Sequence, residues 1–260
     1  MRILQLGKFY PIRGGVEKVM WDLTRGLAGR GVDCDMVCAM SPGDDFDECD
    51  RENASVGNGV RVIRFGEHGR CICLKAVAKI AATMISPAMI LWTRRHSREY
   101  DLVHIHHPDP MACLALRLSG YKGRVVLHWH SDNLQQRGLL KLYLPLQRWL
   151  VSRADLIVCT TPVYMKESSA LAAVQSKVTY LPIGIGDRLR DVSVLPEPGV
   201  RTVFSLGRLV PYKGFCHLVD AAKYLTGNYR ILIGGIGPLR KELQERIDSL
   251  EGGCKVELLG

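Results

Sequence analysis

The sequence has no long, clean apolar run. Its longest apolar segment, residues 71–92, contains two lysines and a proline, whereas a helix that spans a bilayer needs about 20 consecutive apolar residues. The first residues, MRILQLGKF, are too short an apolar run for a secretory signal. Both absences predict a cytoplasmic chain. Segment 71–92 is interpreted as a half-buried helix. Because its cations and apolar residues are mixed, a helix lying on the inner face of the plasma membrane is the alternative.

The cysteines lack the spacing of a zinc site or of a disulfide framework. There are nine, an odd number. Cys34 and Cys38 are four residues apart and Cys71 and Cys73 two apart, but neither pair is followed by a matching second pair. The other cysteines are scattered through apolar runs, as small buried residues would be. The pattern predicts free thiols in a reducing compartment and no metal site.

Two classes of ligand are disfavoured by what is missing. Aromatic residues make up 7% of the chain and form no stacking pattern, so nucleic acid is not predicted as a partner. The G-x-G-x-x-G motif is also absent, which disfavours a nicotinamide-dependent enzyme.

Positive charge, in contrast, is plentiful and unevenly placed. The net charge is +9, and residues 61–100 hold eight Lys or Arg against two acids, while residues 41–52 hold six acids and one Arg. A basic surface of this kind suits anionic lipid or a phosphorylated substrate. An ordinary solvated basic face explains the same pattern equally well.

Short apolar runs alternate with helical patterns along most of the chain. This order predicts an α/β fold, a doubly wound parallel sheet with helices on both faces. We assign residues 1–183 to this first domain. Residues 184–200 are rich in glycine, proline and charge and are interpreted as a linker. A strand-helix pattern restarts over residues 201–260 and ends on a strand, which predicts the first part of a second Rossmann-like domain, incomplete at this length.

Three loops of the first domain follow predicted strands, where doubly wound sheets bind ligands. Gly14 and Gly15 precede a helix whose free N–H groups favour an anion, although a flexible turn is the alternative. The second loop follows HIHH, where a metal site is less favoured than one core histidine and one, His106, lining a cleft. In HWHSDN, His130 lies nearest the strand end, with Asp132 after it, and can exchange a proton or bind a sugar hydroxyl.

The second unit places two cations in one loop, SLGRLVPYKGF. Arg208 offers a planar fork that fits two phosphate oxygens, and Lys213 offers a mobile point charge. Together they can neutralise a diphosphate, although two exposed surface cations would give the same pattern. Gly235 and Gly237 precede Pro238 at a predicted helix start, which suggests a second backbone cradle for an anion or a ribose.

Seven segments in one order carry a family resemblance: GGVEK, DLVHIHHP, VVLHWHSD, RADLIVCTT, KVTYLPIGI, GRLVPYKG and GGIGPLRKEL. Together they resemble a retaining glycosyltransferase of the GT-B fold, family four. Within that family, the region from HWHSDN to TTPVY is most similar to bacterial mannosyltransferases of O-antigen and capsule assembly. The resemblance spans nearly the whole chain, and its most specific parts are GRLVPYKG and GGIGP.

The resemblance implies roles for individual residues. Arg208 and Lys213 would hold the diphosphate of a nucleotide-sugar donor, Gly14 and Gly15 would approach the same phosphates, and His130 would point at the reacting sugar. The cations would stabilise the leaving diphosphate without a metal or other cofactor. The acceptor would be a growing glycan or a lipid-linked one, which fits the basic stretch of residues 61–98 as a membrane-facing surface.

Two departures from the family pattern bear on these roles. The motif P-N-G-I-D after the last strand of the first domain reads PIGIG here, which affects a hinge and little else. The family's pair of late glutamates, which bind the donor ribose and sugar, has no counterpart in this sequence. A nucleotide-sugar 2-epimerase or hydrolase of the same fold, and a non-catalytic binding protein with half a donor site, are therefore the alternative hypotheses.

Overall fold

A computed structural model describes residues 1–41, 43–57, 60–80, 83–132, 137–184 and 199–260. The chain divides into unit 1 (Met1–Ile185) and unit 2 (Gly186–Gly260). The predicted linker, residues 184–200, lies almost wholly outside the described residues, so its assignment stays a prediction. Within the described residues, no helix has both the length and the apolar character needed to cross a membrane.

Unit 1 is built on a large, mainly parallel sheet. Its described strands are β1 (Arg2–Tyr10), β2 (Asp33–Met40), β3 (Ala54–Gly57), β4 (Val60–Arg64), β5 (Gly69–Lys75), β8 (Leu102–His107), β9 (Arg124–Trp129), β10 (Leu156–Cys159) and β11 (Val178–Tyr180), with a separate hairpin of β6 (Ala78–Ile80) and β7 (Thr83–Ile85). Their order is β11-β10-β9-β8-β1-β2-β5-β4-β3. The pairs from β11 to β5 are parallel, whereas β5–β4 and β4–β3 are antiparallel. The predicted α/β class is confirmed, and the sheet is mixed at one edge.

The described helices of unit 1 follow the strands as the alternation predicted. They are α1 (Gly15–Ala28), α2 (Pro87–His96), α3 (Pro110–Ser119), α4 (Arg137–Arg153) and α5 (Pro162–Glu167). In α1 the buried positions Met20, Trp21, Thr24 and Ala28 recur at helical spacing and face the sheet. Three of the helices start at a proline, whose fixed φ suits the first helical position.

The prediction of a helix over segment 71–92 was wrong except for its last six residues, because β5, β6 and β7 precede the helix that starts at Pro87. Residues Gly69–Lys75 form β5, which pairs in parallel with β2. Residues 71–74 are buried on both faces of the sheet, so the strand shows a continuous apolar run without the alternation of a half-exposed strand. A helix begins only at Pro87, where the Ser86 hydroxyl accepts a hydrogen bond from Met89 N at 3.2 Å.

The core of unit 1 lies on both faces of the sheet because strand side chains alternate. On β2 and β5, Val37, Ala39, Ile72 and Leu74 belong to the larger apolar cluster, which continues under α3 and α4. The intervening residues face a second cluster beneath α1. Its buried members are Tyr10, Met20, Trp21, Met36, Cys38, Met40, Phe46, Ile63, Cys71 and Cys73.

One carboxylate joins the end of β1 to the start of α3. The register of β1 on β2 shifts after Leu6, and Gly7 and Lys8 have positive φ values of 122° and 60°. The Lys8 backbone N–H donates to Asp109 Oδ2, while Asp109 Oδ1 accepts from Ala112 N at 2.9 Å. A Cβ at position 7 would lie 2.8 Å from both Ala112 Cβ and Asp109 Oδ2. Glycine is therefore required here on steric as well as conformational grounds.

Unit 2 contains a smaller parallel sheet. Its described strands are β12 (Arg201–Leu206), β13 (Tyr229–Gly234) and β14 (Lys255–Leu258), in that order, with helices α6 (Phe215–Ala221) and α7 (Arg240–Asp248). Ile231, Ile233 and Val256 pack with both helices on one face of the sheet. On the other face, Phe204 and Leu206 are 58% and 74% exposed.

Replacing Asp109 with alanine is expected to destabilise unit 1 by about 2–4 kcal/mol. The change removes a helix cap worth about 1 kcal/mol and leaves the Lys8 N–H without its partner, at a cost of about 1–3 kcal/mol. Urea unfolding followed by tryptophan fluorescence measures this, because all four tryptophans lie in unit 1.

The matched control is Asp22→Ala, which removes an exposed aspartate that pairs with Lys18 one helical turn away. This control substitution should lower the free energy of unfolding by less than about 0.5 kcal/mol. Equal effects of the two substitutions would contradict the structural role given to Asp109.

Candidate functional site

Four histidines stack on one face at the carboxyl ends of β8 and β9. The two strands are parallel neighbours, with His106 opposite His128. Ring centroids are 4.6 Å apart for His104 and His106, 5.1 Å for His106 and His128, and 4.3 Å for His128 and His130. The prediction that the histidines two residues apart share a face is confirmed. His107 points to the other face and stacks on Trp129 at 3.8 Å.

A chain of hydrogen bonds determines which ring nitrogens carry the protons in His106 and His130. His106 Nε2 lies 2.9 Å from Gln5 Oε1, and His106 Nδ1 lies 2.9 Å from His130 Nε2. An amide oxygen only accepts, so His106 carries its proton on Nε2 and accepts at Nδ1 from the Nε2–H of His130. A neutral His130 then has an unprotonated Nδ1, which is available as a hydrogen-bond acceptor.

Burial keeps the whole stack neutral. Loss of solvation lowers the pKa of His130 from its usual 6.5 to about 2, and the nearby His128 and the Lys8 cation add to the shift. Burial alone lowers the pKa of His128 to about 4. It also lowers the pKa of His104 to about 3, and that of His106 well below 6.5. At neutral pH these rings therefore act as polar, uncharged groups.

The other two residues predicted for the cleft have internal partners. His106 is fully buried behind His130. This burial does not support direct contact with an acceptor and gives His106 a positioning role instead. Asp132 Oδ1 accepts from Trp129 Nε1 and from Ser168 Oγ, both at 2.8 Å. Asp132 thus anchors the loop that carries His130, and any contact with an acceptor stays a prediction.

The imidazoles do not form a ready metal site. Nitrogens of His104, His106 and His128 lie within 4.8 Å of one another. However, both ring nitrogens of His106 already have hydrogen-bond partners. A metal ion would have to break the chain that positions His130.

The start of α1 gives different steric constraints to the two predicted glycines. A Cβ on Gly14 would collide with the Glu17 carboxylate, which is buried against the first turn. Around Gly15, in contrast, no atom lies within 4 Å of the Cβ position. The Glu17 carboxylate is the end of a flexible side chain that can shift, so sterics alone do not require glycine at position 14. The open space at Gly15 leaves room for a ligand, and the donor-binding role of both glycines stays a prediction.

Arg208 and Lys213 lie in the loop after β12 and are both exposed. Among the described residues, the Arg208 guanidinium has no ion pair or hydrogen bond. Lys213 Nζ lies 5.6 Å from the centre of the Tyr212 ring. The loop is fixed by its backbone, since Leu209 N donates to Ile236 O at 3.0 Å and Leu239 N donates to Leu209 O at 3.1 Å. Two cations thus project from a well-anchored loop.

The structure explains the glycines at positions 235 and 237 by close packing within the chain, which differs from the predicted anion cradle. A Cβ on Gly235, whose φ is 135°, would collide with Gly207 O, and a Cβ on Gly237 would lie 2.7 Å from Leu209 N. These glycines let the loop after β13 pack closely against the loop that carries Arg208. Close approach to another segment of the chain, rather than to a ligand, accounts for both, and their donor-binding role stays a prediction.

Sequence reasoning missed Gln5, which orients the histidine chain from β1. It is fully buried and is the one polar residue within the apolar run ILQL. A polar side chain inside a buried strand needs a hydrogen-bond partner, and this signal could have identified it. Asp109 was also missed as the link between β1 and α3.

Comparison with known families decides the affiliation of the chain. The family model described as Glycosyltransferase Family 4 matches residues 13–187, and the model described as Glycosyl transferases group 1 matches residues 188–260. The chain belongs to glycosyltransferase family 4. The resemblance inferred from the sequence motifs is therefore confirmed at the level of the family.

Curated relatives of this family 4 chain include two bacterial enzymes. The chain is 31% identical to the O-antigen chain mannosyltransferase C of Escherichia coli over 258 residues, covering 95% of the chain and 65% of the relative. It is 30% identical to the D-rhamnosyltransferase WbpZ of Pseudomonas aeruginosa over 275 residues, covering 100% of the chain and 66% of the relative. The chain thus spans about two thirds of the length of these relatives.

Solved glycosyltransferase structures share the fold. Anabaena Alr3699/HepE, in complex with UDP and glucose, matches with a TM-score of 0.68 at 16% identity, covering 100% of this family 4 chain and 69% of that protein. The lipopolysaccharide outer core galactosyltransferase WaaB in its apo form matches with a TM-score of 0.60 at 16% identity, covering 100% and 68%. The expected α/β fold of glycosyltransferases is confirmed.

The depressed histidine pKa values predict that unit 1 loses stability in acid. Below pH 6.5 the unfolded chain binds protons that the folded stack excludes, so the free energy of unfolding falls as the pH falls. Both ring nitrogens of His128 lack a hydrogen-bond partner among the described residues. His128→Leu should therefore reduce the loss of unfolding free energy between pH 6.5 and about 4. The reduction is up to about 1.4 kcal/mol for each pH unit.

Urea unfolding at several pH values, followed by tryptophan fluorescence, measures this dependence. His217→Leu, which replaces an exposed histidine of unit 2, is the control and should leave it unchanged. If His128→Leu also left the pH dependence unchanged, the conclusion that burial lowers the pKa of His128 would be wrong.

Proposed function

We propose that the protein transfers a hexose from a nucleotide diphosphate-sugar to a growing polysaccharide, with retention of the anomeric configuration. Membership of family 4 supports this activity, and the names of the two curated relatives favour mannose or a related sugar. The observation that carries the proposal is the pair of exposed cations, Arg208 and Lys213, on the anchored loop after β12. Arg208 has no competing ion pair among the described residues.

In the proposed reaction the two cations bind the donor diphosphate. Negative charge develops on this group as the sugar departs, and fixed cations stabilise that charge more in the transition state than in the ground state. No cofactor or metal is required, because the cations supply the electrostatic stabilisation. The open N-terminus of α1 at Gly15 offers backbone N–H groups to the same donor.

His130 is proposed to contact the reacting sugar as a neutral acceptor. Its Nε2–H is held by His106, so its Nδ1 can accept a hydrogen bond from a sugar hydroxyl. The low pKa keeps a positive charge away from a centre that itself becomes cationic during glycosyl transfer. Gln5 and His106 act by orienting this ring.

The proposed acceptor is a lipid-linked glycan at the inner face of the plasma membrane, which places the protein in the cytoplasm. The segment from the end of β5 through β6 supports this site. Lys75, Val77, Lys79 and Ile80 are all exposed in it, and a mixture of cations and apolar side chains suits an anionic bilayer surface. Two other cations of the basic stretch serve the fold instead, since Arg61 donates to Asp44 O and Arg70 pairs with Asp35.

The function is tested with the protein as its native host produces it. Its intact mass is measured first, and the protein is then incubated with mannose and glucose donors bearing GDP, UDP or ADP, with and without a lipid-linked acceptor. Mass spectrometry of both substrates is the readout. Acceptor-dependent gain of one hexose is expected. Turnover of the donor alone would favour the epimerase or hydrolase hypothesis, and binding without turnover would favour a non-catalytic protein.

Arg208→Ala and Lys213→Ala should each weaken binding of the nucleoside diphosphate by about 10-fold or more. Each removes a charge-assisted hydrogen bond worth about 1.5–3 kcal/mol. Calorimetric titration measures the affinity. Lys223→Ala is a closely matched control, because Lys223 also lies over a tyrosine ring, Tyr224, at 4.9 Å. Unchanged affinity in both loop variants would remove the basis of the donor-site assignment.

His130→Ala should lower the rate of transfer by at least about 100-fold and leave the affinity for the nucleoside diphosphate unchanged. The ring acts at the sugar, whereas affinity for the diphosphate comes from the cations of unit 2. Initial rates and titrations on the same preparation separate the two effects. His217→Ala, at an exposed position of unit 2, serves as the control. A parallel loss of affinity in His130→Ala would argue against a role confined to the sugar.

A further inference from the structure

Three buried thiols meet in unit 1, away from the histidine stack. The Sγ atoms of Cys38, Cys71 and Cys73 are 3.6, 3.7 and 3.8 Å apart. Their residues are 0%, 0% and 2% exposed. They lie on β2 and β5, whereas the histidines lie on β8 and β9, and β1 separates the two groups in the sheet. We call these three residues the thiol triad.

The sheet itself brings the triad together. Cys38 on β2 is opposite Cys73 on β5 in the parallel register. Cys71 precedes Cys73 by two residues, so both side chains point to the same face of β5. The sequence shows two separate cysteine pairs of unequal spacing. The pairing of β2 with β5 places Cys38, from the first pair, beside Cys71 and Cys73, which form the second.

We propose that the thiol triad binds one soft, thiophilic metal ion, Cu(I), in three-coordinate geometry. The three sulfurs form a nearly equilateral triangle, and an ion in its plane would lie about 2.1 Å from each of them. This is close to the metal–thiolate distance of about 2.3 Å known for zinc. Only small shifts of the side chains are needed to admit the ion.

The surroundings favour a soft ion of low coordination number. Met36 and Met40 flank Cys38 on the same face of β2, so the cluster beneath α1 is rich in sulfur. Among the described residues, no nitrogen or oxygen is hydrogen bonded to the three sulfurs, which bond only to one another. Thiolate and thioether sulfur select Cu(I), whereas a structural zinc site would require a fourth ligand.

One cation is placed to offset the charge of the thiolates. The Arg61 guanidinium lies 3.4 Å from Met40 Sδ and donates to Asp44 O at 2.6 Å. On binding, the copper remains Cu(I) and the displaced thiol protons pass to solvent, so no oxidant or reductant is consumed.

The test is an anaerobic titration of the full chain with Cu(I), buffered by a chromogenic Cu(I) chelator. The background carries Cys49→Ser, because Cys49 is exposed and would bind copper adventitiously. One equivalent of Cu(I) should bind. Cys38→Ser and Cys73→Ser should each weaken binding by at least about 100-fold, since loss of even an outer-shell partner costs about 10–100-fold. Cys113→Ser, which alters a buried thiol outside the triad, should bind as the background does.

A second measurement needs no triad variant and therefore does not depend on their folding. X-ray absorption of the copper-loaded background protein should show three sulfur neighbours and no nitrogen or oxygen neighbour. Cu(I) should also raise the thermal midpoint of unit 1, because it binds the folded state. Absence of stoichiometric binding, equal affinity in Cys38→Ser, or binding of Zn²⁺ but not Cu(I) would each overturn the proposal.

Discussion

The carboxylate of Asp109 fixes the geometry at the carboxyl end of the unit 1 sheet. It binds the backbone of the irregular segment that ends β1 and, at the same time, caps α3. Since Asp109 follows β8 by two residues, this one side chain sets the relative positions of β1, β8 and α3. Gln5 and His106 lie on these two strands, so the orientation of the histidine chain depends on the same contact.

The histidine stack shows how burial selects a chemical role. An exposed histidine changes charge near neutral pH and can serve as a proton carrier. In the stack, loss of solvation makes the charged form too costly, so each ring remains neutral. The amide of Gln5 then determines which nitrogen carries the proton in His106 and His130. Directed hydrogen bonds, rather than charge, are what this end of the sheet can offer to a ligand.

The sequence predicted the parts of the molecule that depend on local periodicity. The strand-helix order, the shared faces of the histidines and the loop position of Arg208 follow from the spacing of side chains along single elements. The prediction of a helix over segment 71–92 failed because a strand buried on both faces has the same apolar run as a buried helix. Gly235, Gly237 and the thiol triad depend on which segments become neighbours in space, and spacing along the chain does not encode that. Gln5 is intermediate, since its polarity was visible but its partner was not.

The uncovered face of unit 2 has a consequence for the behaviour of the chain in solution. β12 is one of the two edge strands of the described three-stranded sheet, and it carries the exposed side chains of Phe204 and Leu206. An open strand edge beside apolar side chains is a template for self-association. The net charge of +9 opposes this by mutual repulsion between molecules. Added salt screens that repulsion over about 10 Å at 0.1 M, so the chain on its own is expected to remain dispersed in dilute buffer and to aggregate as ionic strength rises.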